Sequence, residues 1–195
     1  MMKLVVASNN PKKRTEIATI LGSLGIEIVA PENTVFVDVI EDADSFVGNA
    51  RKKAEAFATA NGLPALADDS GLCVEALDGD PGVWSARFAG PDANDADNNR
   101  KLLTELEGQS NRSAYFCCAL HLAVPDSDQA FTAEGKVYGE ILTQSTGCSG
   151  FGYDPLFFCP ELGKAFAEAS PEEKASVSHR GRALRALAEQ IQQHV

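Results

Sequence analysis

The feature that most constrains this chain is a long apolar and aromatic run, Ala114 to Val124. It breaks at Pro125-Asp126-Ser127-Asp128 and returns from Gln129 to Tyr138. Two β-favouring runs separated by turn-forming residues read as a hairpin. With helix patterns before and after it, the hairpin implies an α/β protein built on a mixed sheet.

Residues 3 to 7 are short and β-rich. Asn10 can cap a helix, Pro11 suits its first position, and Ile17, Ile20, Leu21 and Leu24 share one face, with Gly25 ending it. Glu27 to Ala30 is extended again. A second helix starts after Asp44 or Ser45 and carries Phe46, Ala50, Lys53 or Ala54, and Phe57 at helical spacing. It runs to about Asn61 before Gly62-Leu63-Pro64. Ala65 to Ala67 reads as a buried strand running into Asp68-Asp69-Ser70-Gly71, with Leu72-Cys73-Val74 beyond. A third helix is expected from Asn94 to Glu107. Ser170-Pro171-Glu172-Glu173 is a capping box for a short helix, and Ser178 caps a last one carrying Leu184, Leu187 and Ile191. No repeat, low-complexity tract or linker divides residues 1 to 195, which read as a single domain.

The chain is long enough to bury a core without staples, and no apolar stretch reaches spanning length. The first apolar run is too short for a signal peptide, so a cytoplasmic protein is expected. Five cysteines, two of them adjacent and none in a CxxC pair, read as reduced, mostly buried thiols. A net charge of -11 argues against a nucleic-acid polymer or an anionic membrane as partner. The cations nevertheless gather at Lys12-Lys13-Arg14, Arg51-Lys52-Lys53 and Arg180/Arg182/Arg185, which suits a small anion held locally or plain solvated helix faces.

Four stretches pair polar chemistry with sharp turns. Ser8 to Lys13 leads into a helix N-terminus whose unpaired N–H groups, with Lys13, can serve an anion; a plain capped turn is the alternative. Asp68 and Asp69, expected at the C-terminal end of a strand, form an acidic group with Glu41-Asp42 of the kind that holds Mg²⁺, unless Asp-Asp-Ser-Gly is only a turn. Ser145 to Pro155, STGCSGFGYDP, has glycines for close approach and Phe151 and Tyr153 for stacking on a flat base, unless the aromatics fill the core. Lys174 with Ser178-His179-Arg180 offers donors for an anion or for the keto oxygens of a base; a lone His-Arg pair is otherwise surface decoration. Together they favour a nucleotide with Mg²⁺.

Six segments also resemble the RdgB-type inosine/xanthosine triphosphate pyrophosphatases, in order and over nearly the whole chain. They are Ser8-Asn9-Asn10 with Lys13 and Glu16, Phe46 with Asn49-Ala50 and Lys53-Ala54, ADDSGL at 67 to 72, PGVWSAR at 81 to 87, GFGYDPLF at 150 to 157, and EEKASVSHRGRAL at 172 to 184. Gly48, Ala43 and Asn9 depart from the family pattern.

The resemblance implies a long twisted mixed β-sheet flanked by helices, two lobes with an active-site cleft between them, and a homodimer. It also implies Mg²⁺-dependent hydrolysis of ITP, dITP or XTP to the monophosphate and pyrophosphate. Carried over by position, Ser8, Asn9, Asn10, Pro11, Lys12 and Lys13 would hold the phosphates. Glu41, with Asp42 as the other choice, and Asp69 would hold the metal. Asp69 would also act on the attacking water, with Lys13 stabilising charge. Ser70 would contact the substrate, and Phe151, Gly152, Tyr153, Asp154, Lys174, His179 and Arg180 would embrace base and sugar. A related pyrophosphatase for modified pyrimidine or methylated nucleotides is disfavoured by SHR with GFGYDP. A non-hydrolysing nucleotide sensor is disfavoured by the acidic set.

Overall fold

The computed structural model describes residues 3–22 and 25–193. Leu24, expected on the apolar face of the first helix, lies outside them. In chain order the elements are β1 (Lys3–Val6), α1 (Pro11–Gly22), β2 (Glu27–Ile28), α2 (Phe46–Asn61), β3 (Ala65–Val74), α3 (Asp95–Glu105), β4 (Ser113–Ala123), β5 (Ala130–Ile141), β6 (Phe157–Cys159), β7 (Lys164–Ala165), α4 (Pro171–Val177) and α5 (His179–Gln192). Hydrogen-bonded neighbours follow the order β2-β1-β3-β4-β5-β6-β7. β1 pairs parallel with β2 and β3, whereas β6 pairs antiparallel with β5 and β7, so the sheet is mixed, as the sequence implies.

Local grammar sets the helix ends. Ser45 Oγ accepts the Gly48 N–H at 3.2 Å, and Gly62, at φ 60° in the left-handed region, closes α2. Asn94 with Asp97 and Ser170 with Glu173 form reciprocal capping boxes on α3 and α4, each cap worth about 1 kcal/mol. The hairpin strands β4 and β5 follow the expected runs. The short strands β6 and β7 and the 3-10 segment Gly82–Arg87 carry no periodic signal that the sequence could reveal.

One expectation is corrected. Asp68-Asp69-Ser70-Gly71 is neither a turn nor the end of a strand, but the middle of the ten-residue strand β3. Turn-forming composition is overridden because both carboxylates find buried partners, described below.

The chain divides into two compact units, the first made of Met1–Asp69, Cys118–Gly135 and Arg180–Val195, and the second of Ser70–Cys117 and Lys136–His179. In the first unit the strands are apolar on both faces, as parallel strands covered twice must be. Leu4, Val6, Leu66, Leu120 and Leu122 pack against Ile17 and Leu21 of α1 and Leu184, Leu187 and Ile191 of α5. The alternate residues Val5, Ala7, Ala65, Ala67 and Ala123 pack against Ala54, Phe57 and Ala58 of α2. The second unit has its own core, in which Leu102 and Leu106 of α3 meet Val74, Phe116, Val137, Phe157 and Phe166.

All five cysteines are free thiols; four are buried and Cys148 is exposed. No helix among the described residues is long and apolar enough to cross a membrane.

Candidate active site

Strand geometry decides what the two central aspartates meet. Successive side chains on β3 point to opposite faces. Asp68 therefore shares the face of Leu66, towards α1 and α5, and Asp69 shares the face of Ala65 and Ala67, towards α2.

Asp68 is 1% exposed. Its Oδ2 lies 3.1 Å from Lys13 Nζ and accepts from Arg180 Nη2 at 2.9 Å and Nε at 3.3 Å. Burial alone would push this carboxyl up, but Lys13, Arg180 and Lys53 together hold it far below the usual carboxylate range. Arg180, 2% exposed, also pairs with Glu16 of α1, and these carboxylates raise its pKa although burial opposes them. The family resemblance implies that Arg180 embraces base and sugar; in the structure its guanidinium pairs with Asp68 and Glu16, which ties α5 to β3 and α1.

Asp69 sits differently. Asn49 Nδ2 donates to its Oδ2 at 3.1 Å, and Lys53 Nζ stands 3.9 Å from its Oδ1. Lys53 Nζ also donates to Glu41 Oε2 at 2.7 Å and to the Asp68 carbonyl at 2.8 Å. Burial raises the Asp69 carboxyl, and Lys53, Asn49 and Lys13 reverse only part of that rise while Glu41 adds to it. Lys53 shows the mirror image: burial lowers its pKa, and Asp68, Asp69 and Glu41 more than compensate. Glu41, not Asp42, belongs to this group, for Asp42 pairs with the exposed Lys52.

Asn49 and Lys53 have no separate role in the sequence reading. Their signal was their spacing, four apart on α2, which puts both on one helix face. Asn49 also accepts the Ala43 N–H at 2.9 Å, so one carboxamide fixes both the acidic strand and the chain entering α2.

At the N-terminal turn, the expected unpaired donors are already used. Asn10 Oδ1 accepts from the N–H groups of Lys12 (3.0 Å) and Lys13 (3.2 Å), the Asn10 carbonyl accepts from Arg14, and Pro11 has no N–H. What the turn offers an anion is therefore the Lys13 ammonium rather than its amides. Ser8 Oγ accepts the Asn10 N–H at 3.2 Å, while Asn9, Pro11 and Lys12 are exposed. Arg14, of the first cation cluster, serves neither an anion nor a solvated face: it donates Nη1 to the carbonyls of Val6 (3.0 Å) and Ser8 (3.3 Å), stapling α1 to the end of β1.

The second unit holds a separate polar group. Lys174 Nζ meets Asp154 Oδ2 at 2.7 Å, both side chains being buried, and stands 4.7 Å from the centre of the Phe151 ring. Asp154 Oδ2 also accepts the Phe151 N–H at 2.9 Å. Gly150 lies at φ 79°, and a Cβ there would collide with the Asp154 carboxylate, so the glycine is required twice over. Phe151 is half-buried, but Tyr153 belongs to the core, with its hydroxyl donating to the Ser85 carbonyl at 2.8 Å. Of the two aromatics read from sequence as stacking platforms, only Phe151 stands at the surface. His179 is buried and stacks on Phe116 with ring centroids 4.8 Å apart. Ser70 is half-buried on β3.

The carboxylates of Glu41 and Asp69 are hard oxygen donors around one half-buried cation, the Lys53 ammonium. Among the described residues no group of three or more His, Cys, Asp or Glu side chains could hold a metal ion alone. Two carboxylates fit Mg²⁺, which keeps water and takes phosphate oxygens from its substrate rather than an all-protein cage.

Fold and site define an α/β protein of the class seen in two solved structures. A HAM1 protein from Coxiella burnetii superposes with a TM-score of 0.89 at 40% identity, over 99% of this chain and all of that one. The Staphylococcus aureus Ham1 protein superposes with a TM-score of 0.87 at 37% identity, with the same coverage. The sequence profile of the Ham1 family matches residues 4–190, and this chain belongs to the Ham1 family. A dITP/XTP pyrophosphatase of Nitrosomonas europaea is 49% identical over 195 residues, covering 100% of this chain and 96% of that protein. A dITP/XTP pyrophosphatase of Geobacter sulfurreducens is 48% identical over 98% of this chain and 97% of its own length.

Proposed function

We propose that residues 1 to 195 form one pyrophosphatase domain that removes non-standard purine nucleoside triphosphates, ITP, dITP and XTP, so that deaminated purines stay out of DNA and RNA. Water attacks the α-phosphorus, pyrophosphate leaves with the electron pair of the broken anhydride bond, and the monophosphate remains. The observation that carries this reading is Asp69, a buried carboxylate oriented by Asn49 and faced by the Lys53 ammonium, with its pKa raised by burial. Full-length relatives named dITP/XTP pyrophosphatase support the substrate class.

In this mechanism Asp69 accepts the proton of the attacking water, and burial strengthens it as a base. Asn49 keeps its Oδ2 engaged and its plane fixed. Glu41 and Asp69 would hold Mg²⁺, whose chemistry there would be to neutralise charge on the phosphate oxygens. Lys13, held beside Asp68, supplies a positive charge to the triphosphate, on a turn shaped by Ser8, Asn9, Asn10, Pro11 and Lys12. Ser70 contacts the substrate. Phe151 stacks on the base, and Lys174, with Asp154, matches a 6-keto purine better than the 6-amino group of adenine. Gly152, Tyr153, His179 and Arg180 support those groups from the interior. On the family resemblance alone, we extend the reading to a cytoplasmic homodimer.

The test is a product assay with ITP, XTP, dITP, ATP, GTP and dUTP in the presence of Mg²⁺. Pyrophosphate is expected from the first three. Orthophosphate as sole product, or ATP consumed as fast as ITP, would overturn the reading.

A further inference from the structure

Helix α3 carries a feature that the proposed chemistry leaves unused. Asp95 and Asn99 lie one turn apart on it and grip a single peptide residue of the GFGYDP loop from both sides. Asp95 Oδ2 accepts the Gly152 N–H at 2.7 Å, and Asn99 Nδ2 donates to the Gly152 carbonyl at 2.9 Å. The helix is itself fixed: Asn98 accepts from Ala89 N–H at 2.8 Å and donates to Ala86 O at 3.1 Å, Lys101 Nζ donates to Phe88 O at 2.9 Å, and Leu102 and Leu106 enter the core.

The loop needs such a grip. Gly150 and Gly152 both sit at positive φ, 79° and 60°, where glycine gives the chain freedom in both directions. On this side a cavity of about 430 Å³ lies between α3 and the loop, lined by Asn99, Leu103, Ser149, Phe151 and Gly152 among others, and no atom stands within 4 Å of where a Gly152 Cβ would be. Beyond Gly152 the chain is anchored by the buried Tyr153 and Asp154, so on the side of Phe151 the two hydrogen bonds to Gly152 set the direction in which the loop leaves that anchor. Hydrogen bonds that fix a reactive or binding geometry act on affinity and turnover through position, not contact.

We propose that Asp95 and Asn99 are positioning residues that hold the base-binding loop, through Gly152, in the conformation that receives the purine. The inference rests on the substrate reading above, so its test carries one arm that measures activity and one that does not. Asp95→Ala, Asn99→Ala and the conservative Asp95→Asn, which keeps an acceptor oxygen, are compared with the unaltered protein. Both alanine variants should raise KM for ITP about tenfold with kcat within about threefold, and Asp95→Asn should restore most of the loss. Amide hydrogen exchange at Gly152 should accelerate at least tenfold in both alanine variants, with protection of α3 and the core strands unchanged.

Alanine variants with the original KM and a still-protected Gly152 would overturn the proposal. So would equal losses in kcat and KM accompanied by loss of protection throughout α3, which would mean that the two residues serve the helix alone. If the unaltered protein turns over no purine triphosphate, the substrate reading fails. The exchange arm then decides the clamp by itself: an unchanged Gly152 overturns it, and a selectively released one upholds it as the device that orders this loop.

Discussion

Asp68 and Asp69 are neighbours in the chain and strangers in space: one strand residue apart, they face opposite sides of β3 and answer to different partners. Asp68 is locked between Lys13 and Arg180, while Asp69 is oriented by Asn49 and balanced by Lys53. Burial acts on both in the same direction, and the cations decide the outcome, depressing the pKa of one and leaving that of the other raised. A carboxylate with a depressed pKa and one with a raised pKa are thereby made from identical side chains.

Asp69→Asn should lose turnover by about 10²- to 10⁴-fold while nucleotide binding survives, because the amide keeps the shape but takes no proton. Steady-state kinetics and calorimetric titration measure the two quantities separately. Unaltered turnover would remove Asp69 from the mechanism.

The same variant should be more stable than the unaltered protein in metal-free buffer at neutral pH. A group whose folded pKa is raised contributes stability that is fully present below its unfolded value, about 3.9, and is lost as pH rises through the folded value. Ionised Asp69 thus weakens the fold at pH 7, so the advantage of Asp69→Asn should shrink as pH falls towards 4. Adding Mg²⁺ should shrink it too. Thermal unfolding across pH, with EDTA or Mg²⁺, tests this; an advantage that grows in acid would contradict the environment assigned to Asp69.

For Asp68→Asn the expected cost is about 3 kcal/mol or more in urea unfolding, since Lys13 and the buried Arg180 lose the charge they share. A change below about 1 kcal/mol would show that these ion pairs are not what holds α5 on the sheet. The sign is opposite to that for Asp69: with its folded pKa depressed, Asp68 stabilises above its unfolded value and loses that contribution only as pH falls below about 4.

Lys13→Ala should raise KM or lower kcat for ITP by tenfold or more while the protein stays folded, because Arg180 still satisfies Asp68. Loss of stability with kinetics intact would make the N-terminal turn purely structural.

In the second unit, Lys174→Met should narrow the preference for ITP over ATP. It removes the ammonium proposed to meet the keto oxygen and leaves Asp154 without its partner at 2.7 Å. Equal kcat/KM losses for both nucleotides would assign Lys174 to holding the loop rather than choosing the base.

Much of this was legible in sequence because its determinants are local. Asn10, Ser45, Asn94 and Ser170 announce helix starts through side chains that bond within three residues of themselves, and the hairpin announces itself through two apolar runs and a turn. β3 was cut short because Asp-Asp-Ser-Gly has turn composition, and what makes it a strand, Lys13 and Arg180 for Asp68 and Asn49 for Asp69, lies far away in the chain. The family resemblance marked Arg180 and Tyr153 without showing that each faces inward. Which oxygen meets which cation is a property of the folded sheet, and periodicity cannot supply it.

The self-contained cap at Asn10 has a consequence for selectivity. Loops that cradle phosphate with free amides read the shape of their guest, because each N–H demands an oxygen at one point. Here the first turn of α1 spends its amides on its own side chain and carbonyl, leaving a lysine that senses charge but not outline. On the proposed reading, such a turn answers to the charge of a polyphosphate rather than to its outline. On the proposed reading, discrimination among nucleotides is then left to the glycine-hinged loop and its buried lysine.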